Sequence, residues 1–420
     1  MESTQKEISL VKTTWLVDRY RTLVHKVLSR LEGGFIEIEE AGRIFAFGDV
    51  YSHLKSKIVV LDSAFYSSLI QDGSIGGAES FIAHHWTCSN LTVLIQIMAR
   101  NQTQLDELEN KTQWLSKIKH QFLRLKNANT EQGAKKNILA HYDIGNDLYQ
   151  RFLDPDMLYS CAIYNDQAKD LNAAQQNKMA EICGKLSLNS EDHLLEIGTG
   201  WGGLAIYAAS HYGCKVTTTT ISDEQYDYAK QRIESLGLSD QITLLKSDYR
   251  LLEGKYSKLV SIEMIEAVGH DYLAGFFRIC SDLLKPDGKM LIQAITIADQ
   301  RYDKYRSGVD FIQKYIFPGG CLPSVSVMAS HIAEQTDMVL DNLDDIGVHY
   351  ARTLYHWRER FEAQWSTLSS LGYSESFKRL WLFYFAYCEG AFIERVISTH
   401  HLVARKPAYL GEKNEAVLDY

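Results

Sequence analysis

The 420-residue chain has 44 Lys and Arg against 53 Asp and Glu, a formal net charge of −9, with 45% apolar and 23% charged residues. That length predicts two domains or one large domain with additions, of ordinary globular composition, and the charge gives no support to a nucleic-acid partner. No apolar run approaches the roughly 18 residues of a membrane span, no signal-peptide pattern opens the chain, and no C-x-x-C or H-E-x-x-H suggests a metal site; the seven scattered cysteines fit a reducing compartment better than a disulfide framework.

In chain order, residues 6–31 read as an amphipathic helix. Ile8, Val11, Trp15, Val24, Val27, Leu28 and Leu31 recur at helical spacing, with Lys12, Arg19, Arg21, Lys26 and Arg30 between them. Residues 34–62 are β-rich: Phe35-Ile-Glu-Ile-Glu alternates, and Lys57-Ile-Val-Val-Leu is a second strand. Helical texture returns over 63–101, broken at Asp72-Gly-Ser-Ile-Gly-Gly, and 105–125 forms a helix whose polar side carries Lys111, Lys117, Lys119 and Arg124. Two basic amphipathic helices, 6–31 and 105–126, predict peripheral contact with an anionic membrane. The polar stretch 127–136 reads as a linker between an amino-terminal, lipid-associated domain (1–126) and a catalytic domain (137–420).

From 172 onward helices and strands alternate. Helix 172–186 leads to strand 193–198, helix 202–211, strand 215–221, helix 223–236, strands 241–246 and 257–263, helix 270–285 and strand 288–296. A polar, aromatic insertion at 298–325 follows. Then come a strand at 338–342, helical stretches at 351–371 and 374–396, and a strand at 400–405. This alternation predicts an α/β fold, a Rossmann-like doubly wound sheet, behind a smaller and mostly helical amino-terminal domain.

Leu194-Leu-Glu-Ile-Gly-Thr-Gly-Trp-Gly-Gly is a buried strand running through a glycine turn into a helix. Such a turn lets a ligand approach the backbone and the helix N-terminus. Gly198, Gly200 and Gly203 satisfy G-x-G-x-x-G, but a dinucleotide site also wants an acid at the end of the next strand, and none occurs before Asp223. Glu196, two residues ahead of the first glycine, fits S-adenosylmethionine (AdoMet) better.

With HYDIGND (141–147), YSCAIY (159–164), TISDEQ (220–225), SIEMIEAVGHDY (261–272), YIFPGGCLPS (315–324), HYARTLYHWRERF (349–361) and CEGAF (388–392) beside that turn, the chain resembles the cyclopropane-fatty-acid synthases over residues 136–407. The resemblance implies a class I methyltransferase fold. It also implies transfer of the AdoMet methyl to a cis double bond in a phospholipid acyl chain, followed by loss of a proton and ring closure. Its cofactor residues would be Tyr159, Ser160, Gly198, Gly200, Gly202, Ile221, Gln225, Asp248 and Tyr249. A bound bicarbonate, held by Cys161, Glu266, Gln293, Ile295 and Tyr350, would take the proton. Many bacterial members carry His where this chain has Gln293, and Gln cannot titrate. Cys388 occupies a position long marked as active in the family; with an anion available as base, a structural or pocket-lining role is expected.

Trp201, Tyr164, Tyr315, Phe317 and Tyr350 are candidates for an aromatic wall facing the cation, and Glu266, a carboxylate beside the anion, is expected to have a raised pKa or a hydrogen bond from the bicarbonate. The resemblance further implies a homodimer, cytoplasmic and peripheral at the inner membrane face. Two other readings stay open: methyl transfer without ring closure, leaving a methyl-branched or methylene chain, and a non-catalytic lipid-binding protein. Loss of the glycine turn or of Glu266 would mark the last, and both are present.

Overall fold

A computed structural model of the chain describes residues 15–103, 105 and 145–411. The helix expected over 105–126, the linker at 127–136, the start of the 6–31 helix and most of the HYDIGND stretch lie outside those residues. In chain order the elements are α1 (Trp15–Leu28), β1 (Phe35–Glu40), β2 (Arg43–Gly48), β3 (Lys55–Val60), α2 (Ala64–Ile82), β4 (Trp86–Cys88), α3 (Leu91–Arg100), α4 (Asn146–Phe152) and α5 (Leu171–Lys185). They continue with β5 (His193–Ile197), α6 (Gly203–Tyr212), β6 (Lys215–Thr220), α7 (Asp223–Ser235), β7 (Ile242–Lys246), β8 (Tyr256–Ile262), α8 (Leu273–Leu283) and β9 (Leu284–Ile297). The chain closes with α9 (Asp299–Arg306), α10 (Phe311–Tyr315), α11 (Val325–Gln335), β10 (Val339–Asp345), α12 (Gly347–Ala363), α13 (Trp365–Ser370), α14 (Glu375–Ile393) and β11 (Ile397–Arg405).

These elements divide into two compact units. The first comprises residues 1–120 with 367–394, the second 121–366 with 395–420. Helix α14, which the linear reading assigned to the 137–420 domain, therefore belongs to the first unit. There its Glu389 accepts a hydrogen bond from Thr92 (3.0 Å) and its Phe383 packs on Phe81. Those partners lie about 300 residues back, beyond the reach of any local pattern. The first unit also holds a four-stranded sheet ordered β2-β1-β3-β4. Ile36 and Ile38 are fully buried from β1, while Ala41 and Gly42, both at positive φ, make the tight turn that pairs β1 with β2.

The second unit is built on a seven-stranded sheet ordered β10-β11-β9-β8-β5-β6-β7. The five strands β5 to β9 are parallel, as the alternation predicts. β11 departs from it, running antiparallel between β9 and β10. Strand periodicity reports which face a residue occupies, not strand direction, so this reversal has no local signature. Both faces are covered. On β5, Leu195 and Ile197 enter one apolar cluster with Phe276 and Phe277 of α8 and Met328 and Ile332 of α11. Leu194 turns the other way, toward Met179 and Ile182 of α5, Leu204 of α6 and Ile233 of α7. The doubly wound arrangement puts the ends of β5 to β9 in one row, where ligands of such sheets bind. The expected insertion at 298–325 contains α9 and α10.

Helix α12 is seated on β11 by close approach at Gly347. A Cβ there would overlap Ser398 Oγ and lie 2.9 Å from Thr399 N. Gly347→Ala should therefore cost about 1–3 kcal/mol through overpacking. A urea midpoint equal to that of the parent chain would show that α12 can shift freely.

Candidate active site

The glycine turn needs its glycines for two different reasons. Gly198, Gly200 and Gly202 have φ of 101°, 53° and 87°, a region in which a Cβ is strained. At Gly203 the reason is space, because a Cβ would lie 2.7 Å from the Asp156 carbonyl oxygen. The turn is pinned to β6 by the N–H groups of Gly198 and Thr199, which both donate to the Thr219 carbonyl (3.1 and 3.0 Å). Beneath it Thr218 Oγ1 donates to buried Glu196 (2.5 Å), whose removal from water pushes its pKa up to about 8. A Cβ on Gly200 would meet nothing within 4 Å, so this part of the turn faces open space.

One strand over, Ser222 caps α7 and accepts from the Gln225 N–H (3.3 Å), while Thr220 Oγ1 donates to Gln225 Oε1 (2.9 Å). Gln225 is thus fixed near Ile221, where a dinucleotide site would place an acid. At the end of β7, Asp248 accepts from Arg250 Nε (2.8 Å) and Nη2 (2.6 Å). Burial alone would raise the Asp248 pKa, but these bonds outweigh it and hold the carboxylate below its usual range. Tyr249 beside it packs edge-on against Phe276. The open turn and the anchored polar groups at the ends of three adjacent parallel strands fit AdoMet. The residues that would hold it are Gly198, Gly200, Gly202, Ile221, Gln225, Asp248 and Tyr249.

The loop after α4 supplies Tyr159 and Ser160. Arg232 ties this loop to the glycine turn, donating to the Asp156 and Trp201 carbonyls (3.1 and 3.3 Å) and to the Asp156 carboxylate (2.9 Å). Ser160 Oγ accepts from the buried Lys178 ammonium (2.7 Å). The Tyr159 ring lies between Tyr149 (5.3 Å) and Trp357 (5.1 Å), with Phe317 at 6.3 Å, while Tyr350 meets the Trp357 edge (6.0 Å) and Trp201 meets Tyr149 (5.0 Å). Trp201, Phe317 and Tyr350 therefore share one aromatic cluster. Tyr164 packs elsewhere. Tyr164 lies against His349, His356 and Arg352, and Tyr315 is 36% exposed against Phe311. Sequence spacing marks aromatic residues but does not say which neighbour each ring finds.

The centre of the site is a pair of carboxylates at the end of β8. Glu263 Oε1 accepts from the Cys161 N–H (2.9 Å) and from Gln293 Nε2 (2.7 Å), and Oε2 accepts from the Tyr350 hydroxyl (2.6 Å). Glu266 Oε1 accepts from the Ile295 N–H (2.5 Å), and its buried Oε2 has no partner among the described residues. Desolvation, then repulsion from Glu263, pushes Glu266 up to about 8, the expected direction, although the neighbouring charge is Glu263 and not a bound anion. Gln293 is itself oriented: its Oε1 pairs with His401 Nε2 (2.8 Å), and His401 Nδ1 faces the Lys185 ammonium (2.9 Å). Lysine can only donate, so the imidazole proton sits on Nε2 and the Gln293 NH₂ turns to Glu263. Burial keeps His401 neutral by lowering its pKa well below the ordinary value.

All five expected anion holders thus converge. The Cys161 N–H, the Gln293 amide, the Ile295 N–H and the Tyr350 hydroxyl, however, face the chain's own carboxylates, and the bicarbonate that the resemblance implied does not fit among them. Cys161 contributes its N–H, while its buried thiol lies near the Ala162 carbonyl (3.3 Å) and is held protonated by desolvation. Cys388 lies on α14, in the first unit. Among the described residues there is no cluster of three or more groups suited to a metal. Glu263, His401 and Arg232 are the residues the sequence reading missed. Only Glu263 had a usable signal, a second acid three residues before Glu266 at a strand end.

Glu266 binds its proton more tightly folded than unfolded, about 8 against an ordinary 4.5. Its contribution to stability is therefore present at low pH and is lost as pH rises through that window. In the ligand-free protein, Glu266→Gln should gain stability relative to the parent as pH is raised from 5 to 8, read from urea midpoints. A difference that stays flat with pH would mean the carboxyl is solvated.

The mycolic acid cyclopropane synthetase family matches residues 129–402. The chain is 38% identical to the cyclopropane-fatty-acyl-phospholipid synthase of Escherichia coli strain K12 over 355 residues, covering 82% of this chain and 87% of that one. It is 37% identical to the tuberculostearic acid methyltransferase UfaA1 of Mycobacterium tuberculosis over 328 residues, 76% of each. Among solved structures it is similar to the mycolic acid cyclopropane synthase CmaA1 complexed with SAH and CTAB, at 28% identity and a TM-score of 0.60, over 65% of this chain and 98% of that one.

Proposed function

This chain belongs to the mycolic acid cyclopropane synthetase family of AdoMet-dependent methyltransferases, and we propose that it methylates the cis double bond of an unsaturated acyl chain in phospholipid and closes a cyclopropane ring there. The observation that carries this reading is the Glu263–Glu266 pair at the end of β8, next to the strand that bears the glycine turn. AdoMet supplies an electrophilic methyl group on a sulfonium centre.

What the chain's own residues do follows from the weakness of an alkene as nucleophile. The turn and the 154–160 loop hold the reactants together and keep water out, which replaces a bimolecular encounter by a positioned one. The Tyr159, Phe317, Tyr350 and Trp357 rings present π faces to the carbocation. The carboxylate pair puts negative charge beside it. No step runs through bicarbonate, because its expected donors are already engaged.

A second reading, methyl transfer without ring closure, is favoured by two observations. Gln293 cannot take up a proton, and a relative 37% identical is the tuberculostearic acid methyltransferase UfaA1. Lipids from a strain expressing the protein distinguish the two. We expect acyl chains heavier by one CH₂ and inert to alkene-selective derivatisation. Chains of that mass that still react as alkenes would replace ring closure by methylene formation, and no mass change would overturn both readings.

Because the acyl chain lies in a bilayer, this reading also places the protein at an anionic membrane surface. α1 supports it by exposing Trp15 (71%) and Leu16 (49%), with Arg19 over the Trp15 ring. Arg21, by contrast, is neutralised by Asp18 and Glu40. No helix of the described residues is long and apolar enough to cross a membrane. Sedimentation with phosphatidylglycerol vesicles should show binding that weakens as salt is added. Salt-independent binding, or none, would remove the membrane contact.

A further inference from the structure

Three donors from separate parts of the second unit converge on the Glu263 carboxylate. The Cys161 N–H comes from the loop before α5, the Gln293 amide from β9 and the Tyr350 hydroxyl from α12, at 2.9, 2.7 and 2.6 Å. Such charge-assisted bonds favour an ionised acceptor. The cradle is also preset, since the His401–Lys185 contact fixes which end of the Gln293 amide faces inward. Lys178, whose ammonium rests on Ser160, adds positive potential toward Glu263.

The backbone is bent to bring this carboxylate in. Glu263 has φ of +50°, a left-handed conformation that is strained for a non-glycine residue. It is held there by its N–H bond to the Gln293 carbonyl (2.8 Å). A glutamate at such a position points to a use for its side chain. The second carboxyl differs: Glu266 has one donor, from Ile295, and an unpartnered buried oxygen. Burial raises both carboxyls, which repel each other and share one proton, and the one with more hydrogen-bond donors keeps the charge. Here that one is Glu263.

We propose that Glu263 is the catalytic base, its carboxylate standing where a bound anion would otherwise sit, so that turnover needs no bicarbonate. This rests on the alkene-methylation reading above. In the step assigned to Glu263, a C–H bond of the newly transferred methyl breaks. Its electron pair forms the second ring C–C bond, and the proton moves to the carboxylate. Oε2, with a single donor, is the oxygen with a lone pair to spare. The resulting carboxylic acid returns its proton to solvent after product leaves. If the pair instead forms a C=C bond to the methylene carbon, the same base serves.

The test uses purified full-length protein, AdoMet and vesicles of a cis-monounsaturated phosphatidylglycerol, in buffer stripped of CO₂ or supplemented with bicarbonate. The parent enzyme should turn over at the same rate in both. Glu263→Gly relieves the φ strain and opens the cradle. It should lose about 10²–10⁴-fold without bicarbonate, the usual worth of a general base, and recover part of that loss when bicarbonate is added. Glu263→Gln leaves the cradle filled and should be neither active nor rescued. AdoMet affinity by calorimetry, unchanged in both variants, excludes misfolding as the cause. Binding of ¹³C-bicarbonate, followed by NMR, should appear in Glu263→Gly and be absent from the parent.

A parent rate that collapses without bicarbonate, full turnover by Glu263→Gln, or labelled bicarbonate bound equally by parent and Glu263→Gly would each overturn the proposal. If no preparation methylates any alkene, the reading of function fails, and the NMR comparison still decides whether Glu263 fills the anion site.

Discussion

Two carboxyl groups held together out of water cannot both stay ionised, and the second unit is arranged around that constraint at the end of β8. Glu263 and Glu266 follow the same strand three residues apart, and burial raises the pKa of both, yet their hydrogen-bond surroundings differ. Glu263 takes three donors, two of them side chains that β9 and α12 bring in; Glu266 takes one and leaves an oxygen bare. Each donor taken from Glu263 would narrow the difference that keeps the charge on that carboxyl. The seating of α12 on β11 at Gly347 and the neutral tautomer of His401 are therefore as much part of the site as the carboxylates.

The same strand row supplies the other half. The ends of β5, β6 and β7 present the open glycine turn, the anchored Gln225 and the Arg250-bound Asp248. The ends of β8 and β9 present the carboxylates and Gln293. Under the proposed function, methyl transfer and proton removal fall on neighbouring strands of one sheet. The 154–164 segment bridges them. Its Asp156 is clamped by Arg232 to the turn, its Tyr159 enters the aromatic cluster, and its Cys161 N–H reaches Glu263. A shift in this loop would disturb both halves together.

Much of this was legible in the sequence, and the limits have physical causes. The glycine turn and the strand ends follow from local periodicity and from residues whose conformation is unusual, and Glu266 from the family resemblance of the stretch that holds it, so short stretches carry them. Glu263 was written in the same stretch, but its importance depends on donors 30 to 102 residues away. His401 acts through a tautomer fixed by Lys185, 216 residues distant. The membership of α14 in the first unit and the reversal of β11 are likewise products of long-range packing. Local pattern encodes where a side chain emerges, not which partner it finds.

Gln293 shows how a departure from a family pattern should be weighed. Taken alone, exchange of a titratable His for an amide removes a proton carrier and weakens the catalytic reading. In the fold, the amide is held by His401 on one side and donates to Glu263 on the other. A neutral donor beside a resident carboxylate stabilises its ionised form without competing for the proton. A titratable imidazole in the same place could take that proton instead. The exchange and the second glutamate therefore make physical sense as a pair: once a carboxylate is built into the anion cradle, the neighbour it needs is a fixed dipole rather than another base.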